Sequence, residues 1–307
     1  MIRVTIFLGS LFILINCQSQ QNISKQLIDS IDPTNFEIIS NQTNLKSKEN
    51  ASESGKVING QPVTIESYPF MANLGFMNST SYRFICGASI ANENTVISAR
   101  HCVENLGTNY NHTEYYETNG KLLVIIAGTS FINSSKVLKS LKSGQVYIID
   151  KIDFTSQDDI SLLTLLEPLT YSNQIGPVGL PNKSDETLIN EKRVTIIGWG
   201  VTETGQISQE LRAAESDVLN GNAFLVFLFC EGYQNENYCI KDLTVTQANV
   251  CFGDSGGPLL YKQNDKWTTY GVTSFGSATP TGQCINSLPS FYAKLPPSWA
   301  LQKLQTK

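Results

Sequence analysis

From residue 57 onward the chain is a succession of short β-branched and aromatic runs broken by Gly, Asn and Pro. The runs are 83–90, 95–98, 122–127, 145–149, 160–165, 193–197, 258–261, 267–274 and 291–295. Many short strands with turn residues between them predict an all-β sandwich or barrel. Only the tail, from residue 298 to about 305, reads as helical.

What precedes residue 57 has a different character. Arg3 stands before an apolar run over residues 4–15, with polar sequence from Asn16, the pattern of a secretory signal peptide. Residues 1–17 are the expected signal, its end uncertain to about residue 20. The run is too short for a membrane-spanning helix, which needs roughly 18 apolar residues. Residues 18–56 are rich in Asn, Ser, Gln, Lys and Glu, with few large apolar residues to offset the entropy of ordering. They read as a flexible pro-segment.

Secretion agrees with two further features. Asn-x-Ser/Thr sequons begin at Asn22, Asn41, Asn50, Asn78, Asn111, Asn133 and Asn182, acceptors for glycans only on a secreted surface. Of the seven cysteines, Cys17 goes with the signal. The remaining six are Cys86, Cys102, Cys230, Cys239, Cys251 and Cys284, an even number suited to three disulfides among 15 possible connectivities. There is no Cys-x-x-Cys pair and the only histidines are His101 and His112, so no metal site is expected. With 22 Lys+Arg against 27 Asp+Glu the net charge is −5, which argues against a nucleic-acid partner. No membrane and no cofactor are called for.

Chemistry concentrates in Cys251-Phe252-Gly253-Asp254-Ser255-Gly256-Gly257-Pro258. A serine flanked by glycines can sit in a tight turn whose N–H groups converge on one point, as an oxyanion hole requires. Alone, the segment is equally compatible with an ordinary turn. Upstream, Val96-Ile97-Ser98-Ala99-Arg100-His101-Cys102 sets a histidine after an apolar run, and Asp158-Asp159-Ile160-Ser161-Leu162-Leu163 sets a carboxylate at the head of another. A serine hydroxyl needs a base to take its proton, and that base needs a carboxylate to fix its tautomer. The order His, Asp, Ser excludes an α/β-hydrolase, whose triad runs Ser, Asp, His.

These segments, with Val57-Ile58-Asn59-Gly60, Cys86-Gly87-Ala88-Ser89 and Gly198-Trp199-Gly200, resemble the trypsin/chymotrypsin-like serine proteases from residue 57 to the C-terminus. The resemblance implies two antiparallel six-stranded β-barrels with a short C-terminal helix, over residues 57–307. It implies a monomeric, secreted endopeptidase acting on proteins or peptides. In it His101 is the general base, Asp159 its orienter and Ser255 the nucleophile, with the N–H groups of Gly253 and Ser255 as oxyanion hole. It also implies a zymogen that an activating protease cuts after Lys56, freeing an amino group on Val57 to pair with Asp254. The implied disulfides are Cys86–Cys102, Cys230–Cys239 and Cys251–Cys284.

By the same resemblance Asn249 lies at the base of the substrate pocket, where members that cut after Lys or Arg carry Asp. No Asp or Glu occurs from Gly276 to Ser290, the other expected wall. Cleavage after Lys or Arg is therefore disfavoured. Ser290 should narrow the pocket, and Ser274-Phe275-Gly276 should pair with substrate backbone, with Phe275 where Trp is usual. Arg100 departs from the family's small residue before the catalytic His and needs solvent or a carboxylate such as Asp158. It is the main support for the alternative, a catalytically silent binding protein. His112 reads as an exposed loop residue.

Overall fold

The computed structural model describes residues 57–300 apart from 143–144, 203, 282 and 297, together with 27, 30–32, 34–40 and 303–304. The expected signal peptide, Lys56 and the sequons at Asn22, Asn41 and Asn50 lie outside the described residues.

Two sheets carry the fold. Strands β3 (Met71–Met77), β4 (Ser81–Ile90), β5 (Thr95–Ser98), β6 (Leu122–Ala127), β7 (Val146–Phe154) and β8 (Ser161–Leu165) pair antiparallel in the ring β4-β3-β6-β7-β8-β5, which closes where β5 returns to β4. The second sheet has the order β11-β14-β13-β12-β9-β10-β2. Its strands are β2 (Gln61–Pro62), β9 (Arg193–Gly198), β10 (Arg212–Asp217), β11 (Asn237–Ile240), β12 (Pro258–Gln263), β13 (Lys266–Phe275) and β14 (Ser290–Lys294). It curls until its far ends meet, where the N–H of Leu219 donates to Cys239 and that of Lys241 to Asp217 at 2.9 and 3.0 Å.

Closure explains the sequence pattern. A barrel strand covered on both faces is apolar throughout, and β6 (LLVIIA) is buried at all six positions. The first core gathers Met71, Leu74, Tyr82, Phe84, Leu123 and Ile125; the second gathers Val194, Ile196, Tyr238, Leu259 and Tyr292. A third cluster seals the seam. There Ile97, Ala99, Ile160 and Leu162 from the first barrel meet Val272, Ala293 and Leu295 from the second. The seam holds the loops before β8 and after β5 against β13. In the tail, Leu304 N–H donates to Ala300 C=O at 3.0 Å, a helical i→i−4 bond.

Helix content exceeds the expectation of a single tail helix. Helix α1 (His112–Asn119) is capped by the Asn111 side chain, which accepts from the N–H groups of Thr113 and Glu114, and it ends at Gly120 in the left-handed conformation. Helix α2 is Ser134–Lys142, and α3 (Ala223–Phe229) starts under the cap of Asn222. His112 is a second correction. Although its neighbours are polar, it is buried at the start of α1 with Nδ1 3.1 Å from Asp150.

The stretch expected to be flexible also contributes structure. Strand β1 (Glu37–Ser40) pairs parallel with β4, and Leu27 and Phe36 are buried in the first core. Its few apolar residues cannot form a core of their own. Laid on a barrel already folded, they have a surface to bury against.

Candidate active site

The segment 251–257 is built from consecutive turns, with Asp254 N–H donating to Cys251 C=O at 3.0 Å and Gly257 N–H to Asp254 C=O at 2.9 Å. Gly256 sits at φ +79°, and a Cβ there would lie 2.3 Å from Ser98 Oγ and 2.4 Å from the Gly87 carbonyl. Only glycine lets the first barrel approach this turn so closely. The approach also positions Ser255, whose carbonyl accepts the Gly87 N–H at 2.8 Å.

His101 follows β5 in a short 3-10 turn, tied to the neighbouring strand β4 by the Cys86–Cys102 disulfide. Its Nδ1 lies 2.8 Å from Asp159 Oδ2, and its own backbone N–H donates to Asp159 Oδ1 at 2.9 Å. The carboxylate therefore holds the ring proton on Nδ1 and leaves Nε2 with its lone pair. From the second barrel, the Ser274 hydroxyl donates to Asp159 at 2.5 Å, a bond the sequence reading missed. Burial alone would push the Asp159 carboxyl up; the contacts with His101 and Ser274 outweigh it and hold the carboxyl below 3.8.

His101, Gly253, Ser255, Ser274, Phe275 and Gly276 line one cleft of about 770 Å³. Arg83 and Lys121 line it too, and among its described lining residues none is Asp or Glu. Among the described residues the one group with metal-ligand spacing is Cys86, His101 and Cys102, and both its sulfurs are locked in the disulfide.

Asp254 points away from the cleft into the second barrel. It is fully buried, accepting the N–H of Gly200 at 2.7 Å and that of Cys251 at 3.0 Å. Burial pushes its carboxyl up to about 7, opposed by those two hydrogen bonds. Gly200 is required here by space: a Cβ would lie 2.4 Å from Asp254 Cγ. Val57 is also fully buried, among Ile189, Val194 and Val218, with φ +42°, a conformation that strains a β-branched residue.

The sequence from 57 to 299 matches the family described as Trypsin. The chain belongs to the trypsin family. This trypsin-family chain is 27% identical over 267 residues to phenoloxidase-activating factor 1 of Holotrichia diomphalia, covering 79% of this chain and 68% of that protein. It is 26% identical over 248 residues to ovochymase of Halocynthia roretzi, again over 79% of this chain but only 14% of that much longer protein.

Other expected site residues of this trypsin-family domain fall as follows. The disulfides are Cys86–Cys102, Cys230–Cys239 and Cys251–Cys284, the pairs the resemblance implies. Phe275 stacks on Phe291 at 4.6 Å between ring centres and meets Tyr233 edge-on at 5.3 Å. Asn249 and Ser290 are buried and do not line the cleft; Asn249 spends its side chain on the carbonyl of Leu288 and the N–H of Val250. Leading into Asn249, the buried Asp242 accepts the N–H groups of Thr244 and Ala248 and the hydroxyls of Thr244 and Thr246. Burial alone would raise its carboxyl, but these bonds outweigh it and hold it at about 2. The stretch from Gly276 to Cys284, long in sequence, folds back on itself through an Ala278–Cys284 bridge. Arg100 finds Glu104 at 2.9 Å, one helical turn on, rather than Asp158, which accepts the Trp299 indole N–H. Among the described residues, no helix is long and apolar enough to cross a membrane.

Proposed function

We propose that this chain is a secreted serine endopeptidase, made as a zymogen and activated by another protease that cuts after Lys56. The observation that carries the reading is the His101 imidazole held by Asp159 on the wall of the cleft that Ser255 also lines. His101 Nε2 takes the Ser255 proton as Oγ attacks the substrate carbonyl, and the N–H groups of Gly253 and Ser255 bind the resulting oxyanion. His101 then protonates the departing amine, and water hydrolyses the acyl-enzyme by the same steps. Each oxyanion donor is worth roughly 100- to 1000-fold in rate. Arg100 pairs with Glu104 and leaves the His101–Asp159 contacts in place, so the silent-binder alternative gains no support from it.

Substrate preference follows from charge. A Lys or Arg side chain entering this cleft meets Arg83 and Lys121 but no carboxylate from the described lining residues. Its desolvation has no compensating charge there. A peptide library treated with protein cut after Lys56 is expected to be cleaved after uncharged side chains of small to medium size. Cleavage chiefly after Arg would overturn that preference. Because Lys56 is itself a poor target for such a site, activation requires a different protease.

A further inference from the structure

The described part of the leader lies along the cleft's own wall. Its strand β1 pairs in parallel with β4, from Glu37 opposite Ser81 to Ser40 opposite Phe84, and Glu37 N–H donates to Thr80 C=O at 2.8 Å. Phe36 and Leu27 are buried in the first core, and Ile31 and Ile38 pack against it. Glu37 and Ile39, at the alternate positions, are exposed, as expected for a strand lying on a barrel.

Strand β4 offers this edge to two partners in succession. β1 covers residues 81–84 and β5 covers 89–90. In the gap between them Gly87 bonds Ser255 and Ile85 and Cys86 line the cleft, which Arg83 and Phe84, paired with β1, line as well. Parallel pairing makes β1 run toward Ser255 and reach the cleft wall at Phe84. The cleft's other wall is the end of β13, Ser274 and Phe275, with Gly276 just after it. A substrate whose acyl side lies along β13 therefore sends its leaving side along β4, into the edge that β1 holds.

We propose that β1, with Phe36 and Leu27 ahead of it, remains bound to the first barrel after the cut at Lys56 and occupies the leaving-side edge of the cleft along β4. This rests on the protease reading only for its effect on substrates. Residues 41–56 separate the strand from the cut, and each spans up to about 3.3–3.6 Å, so breaking the Lys56–Val57 bond need not disturb the pairing. Main-chain bonds hold such an added strand and buried alternate side chains fix its register. Covering β4 in this way also removes an open edge that other chains could join.

Docking is tested without catalysis. The full chain carrying Ser255→Ala, with a site-specific protease sequence placed within 41–56, is cut and passed down a sizing column. The leader fragment is expected to travel with the domain. In the Phe36→Asp/Ile38→Asp variant it is expected to separate, with amide exchange at 81–84 rising at least about tenfold. A native leader that leaves the domain, or a variant leader that stays, overturns the proposal. In the Lys56-cut chain with Ser255 intact, the variant is expected to lower KM several-fold for peptides extending about four residues past the scissile bond, and to leave a single-residue ester unchanged. Equal KM for native and variant chains on the long peptides contradicts occupancy of the edge. Loss of all turnover with the leader still co-eluting refutes the protease reading and leaves the docking established.

Discussion

Changing Ser255 to Ala in protein cut after Lys56 is expected to lower kcat for peptide hydrolysis by about a millionfold. Fold stability is expected to stay within about 0.5 kcal/mol of the native protein. Both expectations have the same cause. Ser255 anchors its turn through its backbone, whose carbonyl takes the Gly87 N–H at 2.8 Å, so deleting the hydroxyl touches the chemistry and leaves that bond in place. A His101→Ala, Ser255→Ala double variant should lose little more than either single one, because base and nucleophile act as one unit. Single-turnover kinetics and urea midpoints on the same samples check the separation. A drop in kcat below tenfold would remove Ser255 from the chemistry.

The proposed activating cut is expected to have the second large effect, the removal of a pH dependence. In the uncut chain Asp254 is buried and its carboxyl is pushed up to about 7 from an ordinary 3.8. The folded state therefore holds the proton more tightly than the unfolded one. Stability is fullest below about pH 4 and falls as pH rises toward 7, by about 4 kcal/mol over the interval. Asp159 and Asp242 act oppositely and in a lower window, since both are held below 3.8 and lose their contribution only as pH falls through their folded values. Cutting after Lys56 frees a cation on Val57, whose residue is already buried in the second core. Paired with Asp254, it pulls that carboxyl down and abolishes the loss between pH 4 and 7. The new dependence appears only above about pH 8, where the amine loses its proton. Cutting before Val57 also releases the strained φ of +42°. Urea midpoints of uncut and cut protein from pH 4 to 8 are expected to slope down and stay level, respectively. Parallel profiles would exclude the pairing. Activity should follow: a Lys56→Gln chain that remains uncut is expected to be at least about 100-fold less active, the worth of one misplaced oxyanion donor.

Strand content was legible where side chains are β-branched or aromatic, as at β5, β6 and β9. It was not legible at β3 (MANLGFM), where Phe76 is the single such residue, or at β10 (RAAESD), which has none; both are strands because neighbours on both sides pair with them. Helix α1, bounded by Asn111 and Gly120, read as a polar loop, and that polar run masks the buried His112. Helix α3 (AFLVFLF) carries an apolar run that a strand could equally own, and it leaves Phe224, Phe227 and Leu228 exposed. At the site, residue identities and order pointed to His101, Asp159 and Ser255, because the chemistry constrains residue type. Contacts between distant loops could not be read. The Ser274 bond to Asp159, the space Asp254 takes beside Gly200 and the closure of Asn249 away from the cleft all arise from packing across segments remote in sequence.

On the protease reading, His101 makes the Ser255 hydroxyl reactive. Protein cut after Lys56 and titrated with a serine-directed phosphonylating reagent tests it most directly, with the labelled peptide identified by mass spectrometry. One equivalent of phosphonate on Ser255, lost in a His101→Ala variant, is the expected result. Intact, folded and fully cut protein that takes up no label would contradict it.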